Sequence, residues 1–288
     1  MFSNILLCSD GSDNALQAAH VAGEIAARFH ADLTILSVFD PTSELGSFAM
    51  APEAAPSQEV IQALGEDLHA AIQKSAAGLL DAAGTAYRFQ RETGHPVEAI
   101  LDSAAALNAD LIVLGSRGLS EWKALVIGSV SDGVLHHALC PVLIVRGDVT
   151  SFSRILLACD GSAGVFLATR AAGELSSNYG APLTIVNVVE PLGPLANIVH
   201  DDPKSVLHNA CEIAGARVRG MALHADCAYS FHQEVGHPAE TIVRFATKGA
   251  YPLIVVGSRG MGALKALALG SVSNRVAHHA PCSVLVVR

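Results

Sequence analysis

The chain contains one unit twice, and this repeat constrains its fold more than any other feature of the sequence. Two segments read G-S-R-G, then nine residues, then G-S-V-S, at residues 115–131 and 257–273. Each segment follows a short apolar stretch and leads into a helical pattern. An internal repeat fixes the number of domains and sites. The sequence therefore predicts two domains, residues 1–147 and 152–288, with one such segment in each.

The composition of the 288-residue chain excludes several classes of protein. Hydrophobic residues make up 51% and charged residues 16%, which suffices for two buried cores and argues against disorder. The net charge of −9 disfavours nucleic-acid partners, whose phosphates it would repel. No apolar run is long enough to span a membrane, and no secretory signal opens the chain. The six cysteines contain no C-x-x-C pair, so we expect reduced thiols and a cytoplasmic location.

Apolar strands alternate with amphipathic helices in both copies. The predicted strands of the first copy are residues 5–9, 33–38, 86–92, 110–115 and 142–146. Its predicted helices are residues 12–29, 57–83, 96–107 and one that begins at 129. The second copy repeats this order, with 203–223 as its long helix. This alternation indicates an α/β fold with two tandem doubly wound open parallel five-stranded sheets.

The glycine-spaced segment is predicted to bind an anion. Doubly wound sheets bind ligands at the carboxyl ends of their strands, where the strand order reverses. In the first copy, Asp10 and Gly115 end the first and fourth predicted strands. Glycines let backbone amides approach a phosphate, and the amides of a helix N-terminus attract it. We expect Ser129 to be the N-cap, followed by first-turn donors at Val130 and Ser131.

The same residues also permit a purely structural interpretation. Ser129 and Asp132 could form a capping box, and Asp10 or Ser12 could cap the first helix. For one segment the two interpretations weigh about evenly, whereas two segments with identical spacing favour the anion site. The cations that recur in both segments either reach phosphates or are solvated; these are Arg117, Lys123, Arg259 and Lys265.

The two segments differ in the charge of the first helical turn. The first segment is followed by Asp132, where the second has Asn274. A carboxylate at this place competes with a bound anion by about 0.3–1 kcal/mol. We therefore expect the second site to bind phosphates more tightly than the first.

These features together resemble the universal stress protein family over nearly the whole chain. A strand ending in Asp-Gly-Ser, a second strand ending in Val, and the motif G-x2-G-x9-G-Ser occur in this order in both copies. The resemblance implies Rossmann-like domains of the adenine-nucleotide α-hydrolase-like type, paired through their fifth strands as an intrachain pseudo-dimer. It also implies the ATP-binding branch of the family, in which the glycine motif holds ribose and phosphates while the Asp and the Val backbone hold adenine.

Carried over by position, the resemblance implies one ATP per domain, with or without Mg²⁺. The implied cofactor-binding residues are Asp10, Val38, Gly115, Gly118, Gly128, Ser129, Val130 and Ser131 in the first copy, and Asp160, Val188, Gly257, Gly260, Gly270, Ser271, Val272 and Ser273 in the second. Cys8 departs from the family, in which many members have Pro or Ala at that position.

Two classes of function fit this sequence. In the first, ATP occupancy gives a nucleotide-dependent regulatory or sensor role in the stress response, with no nucleic-acid or membrane partner and with a homodimer left open. The alternative is a slow ATPase or a phosphoryl or nucleotidyl transferase at the same sites. No Walker A sequence occurs, and no acidic residue recurs beside both segments to orient water or hold Mg²⁺, which favours binding. A dinucleotide-dependent oxidoreductase is excluded because Asp-Gly-Ser follows the first strand instead of G-x-G-x-x-G.

We assign no catalytic residue and no metal site from the sequence. The adjacent residues His136 and His137 fall on a helix, where neighbouring rings diverge. The loop His200-Asp201-Asp202 has ligand-like residue types, and we interpret it as surface polar residues.

Overall fold

The computed structural model describes residues 1–42, 57–82, 84–116, 127–162, 165–190, 212, 216, 227–258 and 269–288. The chain divides into two compact units, Met1–Thr150 and Ser151–Arg288, called unit 1 and unit 2 below. The long helix predicted for residues 203–223 lies outside the described residues, apart from 212 and 216.

Unit 1 is a doubly wound α/β domain. Its elements are, in chain order, β1 (Asn4–Cys8), α1 (Asp13–Phe29), β2 (Asp32–Phe39), α2 (Gln58–Ala82), β3 (Tyr87–Thr93), α3 (Pro96–Ala106), β4 (Leu111–Gly115), α4 (Ser129–His137) and β5 (Val142–Val145). The five strands are parallel and lie in the order β3-β2-β1-β4-β5, which reverses direction between β1 and β4. The predicted fold class is confirmed, and the predicted element ends differ from the observed ones by at most one residue.

Unit 2 repeats this architecture. Its described elements are β6 (Ile155–Ala158), α5 (Val165–Tyr179), β7 (Leu183–Val189), β8 (Tyr229–Val235), α6 (Pro238–Lys248), β9 (Leu253–Gly257), α7 (Ser271–His279) and β10 (Ser283–Val287). Its strands are also parallel, in the order β8-β7-β6-β9-β10. The pairing of the two fifth strands, which the family resemblance implies, stays a prediction.

The central strands form the core of each unit. Every residue of β4 and of β9 is buried, as expected for parallel strands covered on both faces. The wholly buried Leu6 and Leu7 of β1 each stabilise the fold by about 1.5–3 kcal/mol. No helix among the described residues combines the length and the hydropathy needed to cross a membrane.

Local sequence signals explain where α1 begins and ends. Ser12 is its N-cap, and the Ser12 Oγ accepts a hydrogen bond from the amide of Ala15 at 3.3 Å. The helix ends at His30, which adopts the left-handed conformation (φ 53°) and donates its amide to the carbonyl of Ala26. The Ser12 cap fixes the turn that joins β1 to α1, at the carboxyl end of β1, whereas the His30 cap leads into β2.

A glycine turn after the edge strand positions the neighbouring helix in both units. Gly94 (φ 140°) and Gly236 (φ 157°) adopt conformations that favour glycine. The Gly94 amide donates to the carbonyl of Phe39 at 2.9 Å, and the Gly236 amide donates to that of Val189 at 3.0 Å. The turn therefore holds the carboxyl ends of the two outer strands together, and a proline then begins the next helix.

Candidate functional site

The carboxyl ends of β1 and β4 lie side by side in unit 1. Cys8 and Leu114 are register partners in these parallel strands, so the residues that follow them emerge at one edge of the sheet. Asp10 emerges there with an exposed side chain. Its Oδ1 accepts hydrogen bonds from the amide of Ser12 at 3.1 Å and from the Ser12 hydroxyl at 2.7 Å. This turn places a carboxylate at the carboxyl ends of β1 and β4, where the ligand site is predicted.

Unit 2 builds the same turn at the same edge. Ala158 and Val256 are register partners at the ends of β6 and β9. The Oδ1 of the half-buried Asp160 accepts a hydrogen bond from the amide of Ser162 at 2.9 Å. Both predicted carboxylates therefore lie where the sequence placed them, and each also holds its own turn, as the structural interpretation expected.

The N-cap of the helix after the glycine-spaced segment is glycine in both units. Gly128 has an extended backbone (φ −69°, ψ 154°), and its carbonyl accepts the first helical hydrogen bond, from the amide of Asp132 at 2.8 Å. Gly270 has the same conformation (φ −68°, ψ 149°) before α7. The prediction that Ser129 is the N-cap is therefore wrong, because Ser129 is the first helical residue. A glycine N-cap has no side chain that could satisfy the amides of the first turn.

The hydroxyls of Ser131 and Ser273 are used inside the protein. Each serine is buried in the first turn of its helix. The Ser131 Oγ donates to the carbonyl of Gly115 at 2.8 Å, and the Ser273 Oγ donates to that of Gly257 at 2.5 Å. These two predicted ligand residues thus tie the helix N-terminus to the end of the fourth strand of their unit.

Gly115 has a packing role that its place in the motif did not reveal. A Cβ at this position would lie 2.7 Å from the carbonyl carbon of Asn14 and 2.8 Å from its carbonyl oxygen. Real Cβ atoms essentially never approach backbone atoms this closely. The missing side chain therefore lets the end of β4 touch the first turn of α1, which brings the Asp10 turn close to the end of β4.

One backbone hydrogen bond closes the glycine-spaced segment in each unit. The amide of Gly128 donates to the carbonyl of Ser116 at 2.8 Å, and the amide of Gly270 donates to that of Ser258 at 2.7 Å. This bond joins the residue that follows the fourth strand to the N-cap of the next helix. The predicted ligands and cations within it lie outside the described residues; these are Gly118, Arg117, Lys123, Gly260, Arg259 and Lys265.

Val38 and Val188 occupy equivalent places at the ends of β2 and β7. Both are half-buried, and each is the residue before the last of its strand. Because β2 lies beside β1 in the parallel sheet, the backbone of Val38 lies at the same edge as the Asp10 turn. The same relation holds between β7 and β6 in unit 2. The topology thus brings the predicted adenine-binding residues to one edge of each sheet.

A buried cysteine lies just before each Asp-Gly-Ser turn. Cys8 ends β1, and Cys159 directly precedes Asp160. Burial raises the pKa of Cys8 far above its ordinary value, with a smaller effect of Cys140. Burial also raises the pKa of Cys159 to about 12, opposed by a hydrogen bond from the Gly161 backbone. Both thiols are therefore protonated near neutral pH and are poor nucleophiles. Among the described residues, no three His, Cys, Asp or Glu side chains are grouped to hold a metal, and the His200-Asp201-Asp202 loop lies outside them.

A buried polar residue in the second strand of each unit was not predicted from the sequence. Ser37 in β2 and Asn187 in β7 are buried near the carboxyl ends of their strands. His69 Nδ1 lies 2.8 Å from the Ser37 Oγ, and the Asn187 Nδ2 donates to the carbonyl of Cys159 at 2.9 Å. The sequence indicated these residues only by their position, directly before Val38 and Val188, the predicted adenine-binding residues.

Comparisons with known proteins agree with this architecture. A sequence profile described as the universal stress protein family matches residues 1–146 and again residues 151–288. A universal stress protein of Mycolicibacterium smegmatis is 29% identical over 296 residues, covering 99% of this chain and 96% of that protein. One from Synechocystis is 25% identical and covers 99% of both chains. The crystal structure of a universal stress protein from Archaeoglobus fulgidus is similar with a TM-score of 0.68 and 25% identity, covering 99% of this chain and 98% of that one. With both of its halves matched by the profile, the chain belongs to the universal stress protein family.

Proposed function

We propose that each unit binds one ATP at the carboxyl edge of its sheet, and that nucleotide occupancy gives the chain a regulatory or sensor role in the stress response. The observation that carries this proposal is a helix N-terminus with a glycine N-cap, present in both units at the end of the glycine-spaced segment. The enzyme alternative has no comparable support from the described residues.

The helix N-termini supply the electrostatic attraction for the phosphates. The first turn of an α-helix carries roughly half a positive charge on its amides, which suits a phosphate. The glycine N-caps Gly128 and Gly270 put no Cβ beside the amides of the first helical turn. Ser129 and Ser271, the exposed first residues of α4 and α7, would lie beside the phosphates.

The Asp-Gly-Ser turns supply acceptors for the base. A carboxylate offers about four acceptor positions. The two hydrogen bonds that the Asp10 Oδ1 accepts from Ser12 therefore leave capacity for the exocyclic amine of adenine. The equivalent Asp160 would act in the same way in unit 2. These residues fit the ligand that the family resemblance implies, and Mg²⁺ would accompany the phosphates without a protein ligand that we assign.

The proposal is tested by calorimetric titration of the purified chain with ATP. We expect two ATP molecules per chain, and each occupied site should raise the free energy of unfolding of its unit by about 2.7 kcal/mol at 100 times the dissociation constant. The variant Gly128→Val/Gly270→Val should lose both sites. Valine tolerates the extended backbone of both positions, so the defect would come from the added side chain.

A matched variant controls for the added valines. Gly78 lies in α2, and a Cβ there would meet no atom within 4 Å. Gly78→Val should therefore retain both ATP sites. A flat titration of the unmutated chain would overturn the proposal. Phosphate release that disappears in the double variant would instead indicate the slow ATPase or transferase.

A further inference from the structure

The second and third strands of each unit carry a pair of facing polar residues. In unit 1, Ser37 of β2 is the register partner of Arg91 in β3. In unit 2, Asn187 of β7 is the register partner of Gln233 in β8. The two pairs occupy equivalent places, directly before the candidate Val38 and Val188. Their hydrogen-bond partners differ.

In unit 2 the pair holds the turn that contains Asp160. The Gln233 Nε2 donates to the Asn187 Oδ1 at 2.9 Å, and the Asn187 Nδ2 donates to the carbonyl of Cys159 at 2.9 Å. The carbonyl can only accept, so the Asn187 amide must present its nitrogen to Cys159 and its oxygen to Gln233. Asn187 is only 2% exposed, so water does not compete for these bonds.

In unit 1 the pair holds a helix instead. His69 of α2 places its Nδ1 2.8 Å from the Ser37 Oγ. The Arg91 Nη2 donates to the Oε1 of Gln73, also in α2, at 3.3 Å. Within the part of the chain that the structure describes, equivalent strand positions therefore anchor α2 in unit 1 and the Asp-Gly-Ser turn in unit 2.

We propose that Asn187, oriented by Gln233, is a positioning residue that fixes Asp160 for the base of a nucleotide bound to unit 2. This role rests on the proposed function. Cys159 directly precedes Asp160, and its amide also donates to the carbonyl of Val186 at 3.0 Å. With the Asn187 bond, both the amide and the carbonyl of Cys159 are held by β7. The carboxylate of Asp160 is then set by the amide of Ser162, at 2.9 Å.

The test separates the base from the phosphates of the ligand. It uses the full chain with Gly128→Val, which leaves unit 2 as the ATP site. In this parent, Asn187→Leu should weaken ATP binding about tenfold, the value of one buried hydrogen bond. Binding of inorganic tripolyphosphate, which has no base, should change less than about twofold, because the hydrogen bond from Asn187 holds the turn that contains Asp160 and not the phosphate site. A residue with a merely structural role would weaken both ligands together.

Two further variants keep the test decisive. Gln233→Leu removes the group that orients Asn187, in a half-buried strand position, and should weaken ATP binding about threefold. It decides the matter if thermal unfolding shows that Asn187→Leu disrupts unit 2. Arg91 is the counterpart of Gln233 in unit 1, so Arg91→Leu should leave the ATP affinity of unit 2 unchanged.

The outcomes distinguish this inference from the function on which it rests. Loss of ATP affinity with retained tripolyphosphate affinity supports the positioning role of Asn187. Equal losses for both ligands, or no loss for either, overturn that role while ATP binding by the parent stands. A parent that binds no ATP overturns the proposed function, and this role with it.

Discussion

Units 1 and 2 have the same backbone frame and differ in the polar side chains that it carries. Both have the same strand order, an Asp-Gly-Ser turn and a glycine N-cap. They differ in the second strand, with Ser37 in one and Asn187 in the other, and in the first turn of the helix, with Asp132 in one and Asn274 in the other. A duplicated fold can therefore keep the backbone arrangement of a binding site while the charges and the side-chain hydrogen bonds around it change from one copy to the other.

The largest predicted effect tests whether the fourth strand packs against the first helix equally closely in both units, at Gly115 and Gly257. Gly115→Ala places a Cβ within 2.8 Å of the Asn14 backbone, so we expect the free energy of unfolding of unit 1 to fall by about 1–3 kcal/mol. If the frame is equivalent, Gly257→Ala should cost unit 2 a similar amount. Urea unfolding, followed with hydrogen exchange to resolve the units, measures both effects.

Gly78→Ala is the control for these alanines. Its Cβ would meet open space in α2, and alanine favours a helix over glycine. This variant should therefore be neutral or more stable than the unmutated chain. A loss at Gly257 of less than half that at Gly115 would show that the two frames are packed differently.

Local chemistry explains which parts of the site the sequence could predict. The Asp10 turn and the cap at Ser12 form within three residues, so residue types alone indicate them. The N-cap was misplaced by one residue because serine is ordinarily preferred there over glycine. Two hydrogen bonds fix Gly128 as the N-cap. The Gly128 amide donates to the carbonyl of Ser116, and the Ser131 hydroxyl donates to the carbonyl of Gly115, at the end of β4.

The polar pairs of the second strands could not be predicted for the same reason. Asn187 and Gln233 are 46 residues apart, and only the strand register brings them together. Ser37 and Asn187 look alike in sequence, as polar residues directly before a valine near the end of the second strand. Whether such a residue anchors a helix or a turn depends on the side chains that neighbouring elements supply.

The second prediction concerns a pH dependence specific to unit 1. Burial, together with Arg91, lowers the pKa of His69 below its ordinary value, while Glu66 acts weakly in the opposite direction. The unfolded chain therefore binds a proton near pH 6.5 at which the folded unit stays neutral. The free energy of unfolding of unit 1 should fall as the pH drops from about 7 towards 5, by at most about 1.4 kcal/mol per pH unit.

A non-titrating variant isolates this contribution. His69→Gln should remove the part of the pH dependence due to this site, measured by hydrogen exchange of the β2 amides. In unit 2, the partners of Asn187 among the described residues are a carbonyl and an amide, which do not titrate in this range. Exchange of the β7 amides should therefore be unchanged by the variant. An unaltered slope in β2 would contradict the assignment to His69.

The smallest predicted effect concerns the charge beside the phosphates. Asp132→Asn gives unit 1 the residue type of unit 2, and we expect its ATP affinity to rise about two- to fivefold, equivalent to about 0.3–1 kcal/mol. Asn274→Asp should lower the affinity of unit 2 by a similar factor. Calorimetric titration in the backgrounds Gly270→Val and Gly128→Val, respectively, measures each site alone.

Salt then decides whether charge is the cause of the predicted difference in ATP affinity between the units. Asp132 Oδ1 lies 3.5 Å from His136 Nε2 of the same helix. Both groups are more than a third exposed, so about 1 M salt should screen the effect of Asp132 almost completely. If unit 2 still binds ATP more tightly in high salt, the excess affinity does not come from the charge of Asp132, and Asn187→Leu then tests whether the buried hydrogen bonds of Asn187 supply it. If the two affinities become equal, the charge of Asp132 accounts for the whole difference.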